Sequence, residues 1–136
     1  MKKKAMTIAA MAFALCAVSV PLFAHHGSAA FETDPAKRLV LKGTVTDWYW
    51  ANPHCFLRFD VKDKNGQVTH WVAETSNPSD MTDRGWTHDS LRPGDQVTIT
   101  LRPVKGGRPA GSVVEVMLPN GQTLSAQLPQ AKPAGQ

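Results

Sequence analysis

The sequence predicts an all-β domain. Apolar and polar residues alternate in five runs, and Pro, Gly and Asn punctuate the gaps between them. Size sets a further bound: 136 residues, 42% apolar and 19% charged, suit one cored domain and are too few for two.

The chain opens with Lys2-Lys3-Lys4, an apolar run from Ala5 to Val20, and Pro21 before Leu22-Phe23-Ala24. This order is that of a secretory signal peptide, so residues 1–24 are expected to be cleaved after Ala24 and the protein to be periplasmic. The apolar stretch is shorter than the roughly 20 residues a spanning helix needs, so no membrane span is expected after cleavage. Leu15 before Cys16 is too bulky for the usual lipid-modification site.

Of 15 basic residues three lie in the leader, leaving 12 against 11 acidic ones. A near-neutral domain lacks the basic footprint that phosphate neutralisation requires, which excludes nucleic acid and anionic membrane surfaces as expected partners. Only Cys55 remains after cleavage, so no internal disulfide is available.

Residues 25–37 form an N-terminal segment and 38–126 the expected barrel domain. The first run, Arg38 to Trp50, puts Leu39, Leu41, Val45 and Tyr49 on one face, with Gly43 as a candidate bulge. Asn52-Pro53 turns the chain. From His54 to Lys62, Cys55, Leu57, Phe59 and Val61 share one phase, and His54, Phe56, Arg58 and Asp60 take the other. Asp63-Lys64-Asn65-Gly66 predicts a tight hairpin with both central residues at positive φ, leading into Gln67 to Thr75.

Asn77, Pro78 and Asp80 read as cap, first turn and dipole partner of a helix of about two turns that Gly85 stops. Pro93-Gly94-Asp95 turns into the fourth run, where Val97, Ile99 and Leu101 face inward. A Gly/Pro loop over 105–111 precedes the fifth run, Ser112 to Leu118, and Asn120-Gly121 marks a last hairpin into Gln122-Thr123-Leu124. Residues 127–136 have a disordered composition. Three strands, a short helix and two more strands is the order of a small five-stranded OB-like barrel, a fold that hosts many unrelated ligands.

His25-His26-Gly27 after a leader, Asn52-Pro53-His54, Arg84-Gly85-Trp86-Thr87, Ser90-Leu91, Pro93-Gly94-Asp95 and Leu118-Pro119-Asn120-Gly121 occur together here. In this combination the chain resembles an uncharacterised family of small exported bacterial proteins. The resemblance implies export and a small β-barrel, with no activity attached. Cys55-Phe56-Leu57-Arg58 departs from the aromatic-aliphatic stretch usual at that place.

The expected function is that of a periplasmic, non-enzymatic binding protein. Cleavage after Ala24 makes His25 the first residue, so its amine and imidazole could chelate Cu(II) together, with His26 or His54 adding nitrogen. A free amine has a pKa of about 8 and imidazole about 6.5, so few protons need displacing at neutral pH. Only the first residue matches the histidine brace of copper proteins, which this arrangement resembles, and a cut after Ala30 would remove His25 and His26 altogether. The plainer reading is a solvated terminus and a hydrogen-bonded surface His54.

The alternative is a metal-free module that binds a periplasmic protein or small ligand through Trp48, Trp50, Phe56, Arg58 and Trp86, although aromatic residues at such positions also serve as core packing. An uncharacterised enzyme is the third class. Asp80, Asp83, Asp89 and His88 lack a nucleophile elbow or paired-carboxylate spacing, so no catalytic residue is assigned. Cys-x-x-Cys, His-Glu-x-x-His and Cys-x-x-Cys-His are absent from the sequence, which leaves no zinc or haem motif.

Overall fold

The computed structural model describes residues 28–127. The expected leader 1–24, His25 and His26, and nearly all of the expected tail 127–136 lie outside the described residues. The described chain is all-β, with strands β1 (Leu39–Tyr49), β2 (Phe56–Lys62), β3 (Val68–Glu74), β4 (Gln96–Pro103), β5 (Ala110–Met117) and β6 (Thr123–Ser125), and one helix, α1 (Pro78–Asp83).

Sheet order is β3-β2-β1-β4-β5-β6, and β3 also pairs with β5. That last pairing is parallel, joining Val72 to Ala110 and Glu74 to Ser112, and it closes the first five strands into a barrel. This is the OB-like topology the element order predicts. The final hairpin adds β6 outside the barrel, on β5.

β1 is shared between neighbours. Leu39 to Thr44 pair with β4, and Thr44 to Tyr49 pair with β2. The bulge in this strand falls between Val45 and Asp47, rather than at Gly43. One inserted residue flips the pleat, so Trp48 turns into the core and Tyr49 outward, 51% exposed. Gly43 has a different role: an added Cβ would stand 2.8 Å from Phe59 Cδ2 and 2.9 Å from Asp60 O, so only glycine lets β1 approach β2 this closely.

The β2–β3 turn also differs from expectation. Gly66 alone has positive φ (82°), and no non-glycine residue does among those described. Asp63 Oδ1 accepts from Asn65 N and Gln67 N, while Gly66 N donates to Asp63 O. This is a type I turn closed by glycine, held by its own aspartate.

The inward phase leading through β2 is as read, with Cys55, Leu57 and Phe59 fully buried and Val61 half-buried. Ile99 and Leu101 of β4 meet them in one core, together with Val116 of β5. Asn77 caps α1 by accepting from Asp80 N at 3.0 Å, and Pro78 occupies its first turn. Met81 of α1, Trp86 and Leu91 then pack into the core from the segment between β3 and β4. β5 begins at Ala110, two residues earlier than the alternation suggested.

Candidate functional site

His54 lies two residues before β2. The ladder between β2 and β3 continues past its last strand pair through Thr75 N to Cys55 O (2.9 Å) and Cys55 N to Ser76 O (3.0 Å). Cys55 points inward, so the adjoining His54 points out, with 48% of its side chain exposed. Its Nδ1 lies 3.0 Å from Thr75 O and 4.0 Å from Glu74 Oε1. A carbonyl only accepts, so Nδ1 carries the proton of this hydrogen bond, and in the neutral ring Nε2 is the nitrogen with the lone pair. A ring held by such a bond is oriented as metal-binding histidines usually are.

Phe56 follows on the same outer face, half-buried, its ring centroid 6.5 Å from that of His54. It lines a groove of ≈ 300 Å³ with Ala30, Phe31, Val72, Glu74 and Val104, bordered by Lys105 and Arg108. The N-terminal segment is tied down here. Glu32 N donates to Pro103 O at 2.9 Å, Lys105 N donates to Ala30 O at 3.0 Å, and Phe31 is buried.

The remaining sequence-predicted residues separate. Trp86 is 0% and Trp48 8% exposed, with ring centroids 5.5 Å apart. Their indole N–H groups donate to Ser125 O (2.8 Å) and Thr87 O (3.2 Å). Both are therefore core rings and offer no surface. Trp50 is half-buried beside Trp48, 5.6 Å between centroids. Arg58 is exposed and pairs with Asp47 at 3.2 Å, a surface ion pair of small energetic weight.

Cys55 is sealed from solvent. Burial pushes its thiol pKa up, more than the hydrogen bonds from Ala51 and Thr75 pull it down. A thiol held neutral is a poor nucleophile and a poor ligand. No group of three His, Cys, Asp or Glu residues close enough to hold a metal occurs among the described residues. No helix there is long and apolar enough to cross a membrane.

Sequence reasoning did not single out Thr75, Arg102 or Ser112, and it met Arg84 only as the first residue of the Arg84-Gly85-Trp86-Thr87 motif and of a candidate interaction segment running to Asp89. Thr75 was within reach, because the hairpin register set by Asp63 and Gln67 carries Cys55 opposite it. Arg84 and Arg102 have no such local signal. They come from separate elements, and with Ser112 they line a second groove beside His54.

The fold and these residues define a small closed β-barrel of OB type, with an oriented imidazole on its outer face beside Phe56, whose ring lines the groove that the tied-down N-terminal segment borders. The chain belongs to DUF6152, a family of unknown function, which it matches over residues 12–113. The match takes in the histidines at 25 and 26, the Asn52-Pro53-His54 turn and Pro93-Gly94-Asp95, and ends before Leu118. No curated protein and no solved structure matches the chain.

Proposed function

We propose that this is an exported, non-enzymatic binding protein that takes up Cu(II), with His54 Nε2 as the ligand on the barrel and His25 and His26 as ligands from the N-terminal segment. The observation that carries the reading is the anchoring of Ala30 and Glu32 on the strand that leads into the Lys105 loop, beside the groove that Phe56 and Glu74 line. Ala30 stands four positions after His26. At about 3.5 Å per residue that tether spans at most ~14 Å, which keeps His26 close to the anchor. Imidazole and amine nitrogens suit Cu(II), and the Nδ1 hydrogen bond of His54 leaves Nε2 as the nitrogen turned to a metal in the neutral ring.

Native mass spectrometry of protein processed in exporting cells, before and after one equivalent of Cu(II), tests this. The expected species begins at His25 and retains one copper. Adding a residue before His25 abolishes uptake, and His54→Gln weakens it about tenfold, in line with the 10- to 100-fold scale for groups that tune a metal site. A chain beginning at His25 that stays metal-free refutes the copper reading. A second reading, a metal-free site for a small apolar ligand, draws on the Phe31, Phe56 and Val72 groove, and uptake of such a ligand by copper-free protein would favour it.

A further inference from the structure

The second groove, of ≈ 370 Å³, is lined by His54, Ser76, Arg84, Arg102, Ser112 and Gln127 among others, and no carboxylate lines it. Its two guanidinium groups are unusually short of partners. Arg84 has a side chain only 11% exposed. It donates from Nη1 to Ala126 O, and its one ion pair, to the half-exposed Asp80, is long at 3.9 Å. Arg102 donates from Nη2 to Ser112 Oγ at 3.1 Å and has no ion-pair partner among the described residues. The Nε–H groups of both arginines are buried without an acceptor.

Buried donors are nearly always matched, and an unmatched one on a cation carries the full cost of its lost hydration. Two such cations lining one groove call for negative charge, and among the described residues only the long Asp80 contact to Arg84 supplies any. Ser112 is itself buried, and because its oxygen already accepts from Arg102 its hydroxyl proton is free to donate. Guanidinium forks and a hydroxyl together form the donor set that recognises terminal oxygens carrying shared charge.

We infer that this groove is a binding site for a small oxyanion, held by Arg102, Arg84 and Ser112. None of these three residues belongs to the proposed metal set, although His54 lines the same groove, so the oxyanion test is run on metal-free protein and its failure is distinct from failure of the copper reading. An oxyanion of this kind is either a tetrahedral phosphate-like group or a carboxylate, and the probes separate the two.

The test is a titration of the full processed chain, freed of metal by dialysis, with inorganic phosphate and separately with acetate, at ionic strength fixed by sodium chloride. Side-chain Nε–H resonances of Arg84 and Arg102 are followed by NMR. Saturable shifts in the phosphate arm mark a phosphate-like ligand, and saturation in the acetate arm alone marks a carboxylate. Arg102→Met is expected to weaken binding about tenfold or more, because a charge-assisted hydrogen bond is worth about a decade in affinity. Ser112→Ala, which leaves the charge intact, weakens it less and guards against a folding defect in the first variant. Shifts that chloride reproduces, or equal affinity in Arg102→Met with native circular dichroism, overturn the proposal.

Discussion

Replacing Trp86 by alanine separates a core pillar from a ligand-stacking surface. The ring is fully buried, packs 5.5 Å from Trp48, and donates its indole N–H to Ser125 O at 2.8 Å. Removing a ring from such a place costs about 3–5 kcal/mol in transfer and cavity terms. The net stability of a domain of this size is about 5–15 kcal/mol, so the substitution removes a large fraction of it. At ~4–8 °C per kcal/mol the melting temperature falls by roughly 10–40 °C. Trp86→Phe keeps most of the apolar volume and forfeits the hydrogen bond, for a loss of about 1–2 kcal/mol. Urea denaturation followed by far-ultraviolet circular dichroism measures both without relying on tryptophan emission. A loss below about 0.5 kcal/mol for Trp86→Ala is the surface-substitution range and would refute the core assignment.

Gly43→Ala sets two effects against each other. Restricting the unfolded chain stabilises by about 0.4–1 kcal/mol, whereas the added methyl meets the Phe59 ring at 2.8 Å and the Asp60 carbonyl at 2.9 Å. Overpacking against backbone costs about 1–3 kcal/mol and wins, so the urea midpoint drops; an unchanged or raised midpoint would show that the strands can separate freely. Cys55 reacts slowly with a disulfide reagent at pH 8 in the native protein and at once in denaturant, and equal rates would contradict its burial. Its folded pKa is raised, so the stability it contributes is whole below the ordinary value of 9.0 and is lost as pH climbs through the folded value. The stability advantage of the wild type over Cys55→Ala therefore narrows above pH 9, and a constant difference refutes the linkage.

Legibility followed the range of the interactions. β2 and β4 were readable because Cys55, Leu57 and Phe59, and Val97, Ile99 and Leu101, keep strict period two with one face buried. β1 was misread at one point, since an inserted residue at the bulge leaves no compositional mark, and Tyr49 and Trp48 exchanged faces as a result. Trp86 was assigned to a surface because it sits in a segment without period, where nothing local says which way a ring turns. The outward setting of His54 followed from its phase against Cys55, and its carbonyl partner followed in principle from the hairpin register. The Arg84–Arg102 groove did not. It exists only because the parallel β3–β5 pairing, between residues far apart in sequence, closes the barrel and brings those elements together.

The anchor at Ala30 to Glu32 would let the proposed copper site, assembled from the N-terminal segment and the barrel, respond to its ligand. Burying the Phe31 ring contributes about 1.5–3 kcal/mol, and two backbone hydrogen bonds about 1 kcal/mol each. Ordering three residues of backbone costs about 1–2 kcal/mol apiece, so attachment and release nearly balance. Elements with so small a margin are the ones that ligand binding moves. Under the copper proposal, an ion shared between the segment and His54 would add a term present only when the segment is docked, and so would shift that balance toward the attached state in proportion to its differential affinity. The fully buried face of β2 supplies the opposite property on the same strand. With Cys55, Leu57 and Phe59 locked into the core, His54 is presented on a rigid edge, which fixes the one nitrogen the barrel would offer to the proposed copper site.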